Sequence, residues 1–314
     1  MAKENAYQPL TPTFMVQLAA PHTWAASIFP VLLATCLAFV FNASIGKPTS
    51  VSSVLVLLAI SVLLQSAVNT INDYFDYVKG TDTEENQLDP TDAVLVYNNV
   101  NPRHALAYAI ALIVVAFALG IYCIVIAGIA PLVIALIGVV VIFLYSGGKL
   151  PISYLPLGEL ASGFTMGGLI TLASYQVLTG SLDFMVLVYS IPEILGIGLI
   201  MLTNNGCDIE KDTEANRKTL PVLLGHERTV KLYHGVVYAW VLSICIIVVV
   251  AFTPGAIALP FMLLAAHAPG RMLLANQLTA QSRAGAFGQC STLNILFGSF
   301  YSLCILASTV TLTF

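Results

Sequence analysis

Apolar runs about as long as a bilayer crossing recur along this chain, and nothing else constrains its fold as strongly. A spanning helix needs roughly 20 predominantly apolar residues, and in hydrocarbon a helix satisfies every backbone polar group internally. The runs are Pro21–Phe41, Val51–Asn69, Ala105–Ile126, Ala130–Tyr145, Leu157–Val177, Phe184–Thr203, Val230–Phe252, Ala256–Leu274 and Phe287–Leu312. A composition of 58% hydrophobic and only 9% charged residues excludes an ordinary soluble domain. The expected fold is therefore all-α: a polytopic membrane protein of about nine transmembrane helices around a central cavity, with cytoplasmic cap loops or helices. No linker or low-complexity tract divides residues 1–314, so one transmembrane domain is expected. The first eighteen residues are polar and mixed, unlike a cleavable signal, so the first span is expected to stay as an anchor.

Basic residues orient the spans. With nine crossings, eleven of the twelve Lys and Arg side chains fall on the side of the N-terminus, and only Lys47 on the other. The positive-inside rule makes that side cytoplasmic and places the C-terminus outside, as for a protein of a prokaryotic inner or plasma membrane. The net charge of −4 says little about partners, because eleven of the sixteen acids lie in two loops. No basic stripe with interleaved aromatics suggests nucleic acid. The six cysteines show no zinc spacing and read as small apolar fillers.

Those two acid-rich loops carry the chemistry. Directly after the second apolar run comes Asn69-Thr-Ile-Asn-Asp-Tyr-Phe-Asp-Tyr-Val-Lys-Gly-Thr-Asp82. On a helix, Asn72, Asp73 and Asp76 share one face. A single D-x-x-D at a helix end is ordinarily a solvated terminus. A second cluster, Asn204-Asn-Gly-Cys-Asp-Ile-Glu-Lys-Asp212, follows the sixth run, and its Asn204, Asp208 and Asp212 recur every four residues. Clustered carboxylates repel unless a cation lies among them, and Mg²⁺ takes such oxygens together with substrate phosphates. Two seams at matching positions thus suggest the two halves of a Mg²⁺–diphosphate site.

Candidate cations are few. Lys149 lies in the loop Tyr145-Ser-Gly-Gly-Lys-Leu-Pro151, at a depth suited either to an anionic substrate or to a snorkelling anchor. Arg217 and Lys218 follow the second seam closely. Glu193 is an intramembrane carboxylate some three turns from Asn204 and is expected to stand outside the site. The two acidic loops also contain Leu95, Tyr97 and Leu220-Pro-Val-Leu-Leu-Gly225, which suggest short capping helices.

With these residues in view, the chain resembles the UbiA-type intramembrane aromatic prenyltransferases. That family's N-D-x-x-D and D-x-x-x-D patterns are matched by Asn72-Asp73-Tyr-Phe-Asp76 and Asp208-Ile-Glu-Lys-Asp212. The spacing to Asp82, Asn204-Asn205, Tyr145-Ser-Gly-Gly, Gly158-Glu159 and Thr219-Leu220 are most similar to the branch that prenylates 1,4-dihydroxy-2-naphthoate in menaquinone synthesis. The resemblance runs from about Pro21 to Gly225; the last three spans are only generically hydrophobic. The chain departs from the branch at Ala20 and Cys207, where it usually carries arginine, at Asn216, where it usually carries glycine, at Lys149, where it often carries proline, and around Asn86 to Asp92, where its basic residue is not evident.

The resemblance implies a prenyltransferase using Mg²⁺, with Asp73, Asp76 and Asp82 on one ion and Asp208 and Asp212 on another. Asn72, Asn204, Asn205 and Tyr145 would complete the substrate site, and Lys149, Arg217 and Lys218 would meet the diphosphate. Asp76, Asp208 and Lys149 would be the catalytic groups. The implied partners are a polyprenyl diphosphate, an aromatic acceptor and membrane lipid. Other acceptors of the same family are 4-hydroxybenzoate, homogentisate, haem and glycerol phosphate. A secondary transporter is the rival from another class, but it would carry its carboxylates near the bilayer centre.

Overall fold

Residues 7–80, 93–147 and 150–309 are described by a computed structural model, and their regular structure is helical. The order is α1 Pro12–Ala19, α2 Ala25–Ser44, α3 Val51–Lys79, α4 Val94–Asn98, α5 Pro102–Ala127 and α6 Ala130–Ser146. Then come α7 Gly158–Ser162, a π turn Gly163–Leu169, α8 Ile170–Thr179, α9 Met185–Tyr189 and α10 Ile191–Cys207. The remaining helices are α11 Ile209–Glu214, α12 Leu220–Leu224, α13 His226–Ala251, α14 Leu259–Ala275 and α15 Arg283–Ala307.

Among the described residues the expected apolar segments fall mainly on helix, but the count of nine long spans is not reached. Among the described residues, six helical stretches are long and apolar enough to cross a bilayer: Ala25–Ser44, Val51–Lys79, Pro102–Ala127, His226–Ala251, Thr253–Ala275 and Ala280–Ala307. The segment at Ala130–Tyr145 is shorter. The fifth is interrupted by the π turn, and the sixth is divided at Ser190 into α9 and α10. The first begins later than expected, because Ala20 adopts a left-handed conformation (φ 45°) and the following Pro21 opens a 3₁₀ turn. Short helices do stand around Leu95 and Leu220, as α4 and α12.

The chain forms two compact units, Met1–Trp24 with Leu58–Tyr122, and Ala25–Leu57 with Cys123–Phe314. In the first, Leu18, Val94, Leu95, Val100 and Ala105 make a buried core against Tyr74, Tyr77 and Tyr108. This core fastens α4 and the start of α5 to α1 and the end of α3. In the second, α10 is the central helix, packed by α7, the π turn, α13 and α15.

The π turn lies at a close backbone approach. A methyl group added at Gly163 would stand 2.5 Å from the Ile194 carbonyl oxygen, and one at Gly167 2.6 Å from the Ile194 nitrogen. This small-xxx-small pair lets the fifth segment lie directly on the α10 backbone, as such pairs do between membrane helices. On the other side of α10, the Asn294 amide donates to the Gly196 carbonyl at 3.2 Å, and Trp240 meets Phe297 edge to face.

Apolar side chains also cover the outside. Ile121, Val125 and Phe143 on α5 and α6, and Val250 on α13, are strongly exposed. Contiguous apolar surface of this extent is expensive in water and costs nothing against lipid tails. This is an integral, multi-pass membrane protein.

Candidate active site

The first seam lies on the last two turns of α3, so Asn72, Asp73 and Asp76 are helical as expected. One turn earlier, α3 grips the N-terminal segment. Asn69 Nδ2 donates to Ala19 O at 3.0 Å and to Thr23 Oγ1 at 2.8 Å. The Thr70 hydroxyl contacts Leu18 O at 3.3 Å and Ser66 O at 2.8 Å. Asp73 is buried, and its Oδ2 accepts the Val94 N–H at 3.1 Å, so this carboxylate also secures the start of α4. Asn72 and Asp76 are half-buried. Asp82 lies outside the described residues, as does Lys149.

The second seam is not one continuous helix. Helix α10 ends at Cys207 and α11 starts at Ile209, leaving Asp208 at a non-helical joint (φ −108°, ψ 20°). The Asp212 N–H still reaches Asp208 O at 2.8 Å, so the four-residue spacing survives across the break. Asp212 is 1% exposed. One of its oxygens lies 3.0 Å from Arg217 Nη1, and the other accepts from the Thr219 hydroxyl at 3.2 Å. Burial pushes the Asp212 carboxyl above its ordinary value, with the Arg217 charge opposing.

Arg217 is itself fixed. Its Nη2 donates to Ser153 O at 3.2 Å, and its guanidinium lies over the Tyr154 ring at 5.2 Å from the centroid. Asn216, in a left-handed conformation (φ 55°), turns the chain so that this can happen. Lys218 is exposed, and its backbone N–H donates to Tyr154 O at 2.9 Å. The connection Ser153–Tyr154 and the segment after Asp212 therefore hold one another.

Asn205 is buried and donates through Nδ2 to Glu159 Oε1 on α7 at 2.8 Å. The Tyr145 hydroxyl contacts Met201 Sδ at 3.2 Å. A methyl group at Gly158 would lie 3.4 Å from that hydroxyl and 3.8 Å from Asn205 Nδ2, so glycine lets Tyr145, Asn205 and α7 crowd together. Cys207 is fully buried, and all six cysteines are free thiols. Glu193 is also buried, in the first turn of α10 at the opposite end from the seam.

Sequence reasoning assigned no role in the site to Arg283. Its Nη2 donates to Asn204 Oδ1 at 2.7 Å, and its Nε lies 3.3 Å from Asp208 Oδ1. No local motif announces this residue, which stands 79 positions from Asn204. Its only sequence signal was its place on the basic side of the last span.

The donor set suits a hard cation. Both seams offer carboxylate and amide oxygens, the ligands Mg²⁺ prefers. Among the described residues, no group of three or more His, Cys, Asp or Glu side chains is gathered to hold a metal by itself. Asp208 and Asp212 are each set against an arginine instead.

Residues 31–305 match the UbiA prenyltransferase family. The chain is 36% identical over 233 residues to 1,4-dihydroxy-2-naphthoate octaprenyltransferase of Bacillus subtilis, covering 73% of each chain. It is 30% identical over 288 residues to UbiA prenyltransferase domain-containing protein 1 of Rattus norvegicus, covering 90% of this chain and 80% of that one. In fold it is similar to a UbiA homologue from Archaeoglobus fulgidus solved with DMAPP and Mg²⁺. That likeness has a TM-score of 0.60 at 15% identity and covers 91% of this chain and 98% of that one. The chain therefore belongs to the UbiA prenyltransferase family and is a membrane-embedded prenyltransferase.

Proposed function

We propose that the enzyme transfers a polyprenyl group from an allylic diphosphate to 1,4-dihydroxy-2-naphthoate, with release of diphosphate and CO₂, in menaquinone synthesis. The observation that carries this reading is the 36% identity to the Bacillus subtilis naphthoate octaprenyltransferase. Magnesium dependence is part of the proposal. Its support is the oxygen-only donor set and the Mg²⁺ and DMAPP named for the Archaeoglobus fulgidus homologue.

The oxygens for Mg²⁺ would come from Asp73, Asp76 and Asp82 in the first seam and from Asp208 and Asp212 in the second. A Mg²⁺ held by these carboxylates would supply the positive charge that neutralises a departing diphosphate. Asn72, Asn204 and Asn205 orient these carboxylates and the diphosphate oxygens. Lys149, Arg217 and Lys218 supply positive charge to the leaving group, with Arg217 pre-positioned by Ser153 and Tyr154. The C–O bond of the donor breaks with its electron pair leaving on diphosphate. An electron-rich ring carbon of the acceptor bonds to the allylic carbon, and loss of the carboxyl group as CO₂ restores aromaticity. Tyr145, beside Asn205, contributes to binding the substrate. One transmembrane domain does all of this. The seams and the N-terminus face the cytoplasm and the C-terminus faces outward, in a prokaryotic inner or plasma membrane, as the distribution of basic residues favours.

The test is mass spectrometry of lipids after incubating membranes with dihydroxynaphthoate, a polyprenyl diphosphate and Mg²⁺. A prenylated, decarboxylated naphthoquinol is the expected product. No such product, with product formed from 4-hydroxybenzoate, homogentisate, haem or glycerol phosphate, would reassign the acceptor.

A further inference from the structure

The connection from α14 to α15 is built as a rigid platform. Asn276 Oδ1 accepts from the Leu278 N–H at 2.9 Å and from the Ser282 hydroxyl at 2.8 Å. Thr279 and Ser282 cap each other reciprocally, the Ser282 N–H reaching Thr279 Oγ1 at 3.3 Å and the Thr279 N–H reaching Ser282 Oγ at 3.0 Å. Between them, Leu278 is fully buried and held in a left-handed conformation (φ 53°) that leucine rarely adopts. Its side chain is seated on α10 beside Gly206, where a methyl group would come within 3.0 Å of Leu278 Cδ1. The turn is thus docked onto the last turn of α10, and the next helical residue after it is Arg283.

What Arg283 meets there is the part of the second seam that α10 controls least. Asp208 stands at the break between α10 and α11, so helical geometry alone does not fix the direction of its side chain. Arg283 bridges it to Asn204 one turn earlier. The pair is half-shielded, Arg283 being 26% and Asp208 16% exposed, so it is less screened than a surface ion pair.

We propose that Arg283 is a positioning residue of this prenyltransferase, a guanidinium fork that sets Asn204 and Asp208 in the arrangement needed to bind the metal–diphosphate. The inference rests on the reaction proposed above. One guanidinium reaches both residues through different nitrogens, Nη2 hydrogen-bonding Asn204 and Nε ion-paired with Asp208 at 3.3 Å; a lysine ammonium has the charge without the planar spread.

The test uses the purified full-length protein in detergent and measures binding of geranyl thiodiphosphate, which does not ionise, by calorimetry with Mg²⁺ present. Arg283→Met should weaken binding by about tenfold or more, as for loss of a charge-assisted contact. Arg283→Lys should fall within about threefold of Arg283→Met. Adding Arg283→Met to Asn204→Ala should cost less than about threefold further, because the two residues act as one unit. Affinity for dihydroxynaphthoate should not change. Arg283→Gln carries the same expectations if the methionine variant is not recovered folded.

Wild-type affinity in Arg283→Met, full rescue by lysine, or additive effects with Asn204→Ala would each overturn the assignment. So would equal loss of affinity for donor analogue and acceptor, which marks general loosening. Wild-type protein that binds no analogue with Mg²⁺ would instead remove the reaction on which the assignment stands.

Discussion

Asn205 Nδ2 and Glu159 Oε1 lie 2.8 Å apart, joining the last turn of α10 to the first turn of α7. The other Glu159 oxygen is buried and makes no hydrogen bond among the described residues. Glu159 therefore sets where the Asn205 amide points. Glu159→Gln keeps an acceptor for that amide and should retain activity within about threefold, whereas Glu159→Ala should lose about tenfold, near the value of one hydrogen bond to a charged group. Initial rates in membranes at equal expression decide this. Equal activity in the two variants would remove Glu159 from the site.

Two carboxylate seams in a chain so poor in charge predict metal dependence. Turnover should vanish in EDTA and return on adding Mg²⁺ in excess. Undiminished product formation in chelator would contradict the role given to all five aspartates.

Asp76 and Asp208 test one carboxylate from each seam. Replacing either by Asn keeps the shape and removes the charge, so kcat should fall by about two orders of magnitude or more. Asp208→Asn also leaves Arg283 without its anionic neighbour, so a check that the variant remains folded belongs in the same experiment. Near-normal turnover in either variant would show that the replaced residue is not a ligand.

Lys149 provides the fourth test. If it meets the diphosphate, Lys149→Met should raise KM for the prenyl donor and lower kcat, since charge is bound there both before and during departure. An interfacial anchor would tolerate the change with unaltered kinetics and a modest loss of stability. Rates over a range of donor concentrations separate the two.

The membrane fold was legible because apolar runs register burial in lipid directly. The carboxylate seams stood out because clustered acids at the mouths of apolar runs are unusual; the structure also gives two of them local partners, Asp73 on the Val94 N–H and Asp212 on Arg217 and Thr219. The break at Asp208 was not, since a four-residue spacing looks the same whether or not one residue leaves the helix. The π turn was equally hidden, as was the close approach of Ile194, from another segment, to Gly163 and Gly167 within it. Arg283 shows the same limit most clearly. The branch that the sequence resembles usually carries arginine at the position of Cys207, which is buried here, yet an arginine reaches Asp208 from the start of α15. The docking of Leu278 beside Gly206 and the packing of α15 on α10 bring it there.

The apolar coat of α5, α6 and α13 has a kinetic consequence. A protein wrapped in side chains such as Val125 and Val250 (each 77% exposed) has hydrocarbon, not water, as its principal solvent. A long prenyl donor and its product are dissolved in that same solvent and travel in two dimensions. The concentration that governs the rate is then the donor's mole fraction in the bilayer. Diluting the donor with inert phospholipid at constant bulk amount should slow turnover, and adding buffer at constant lipid composition should not.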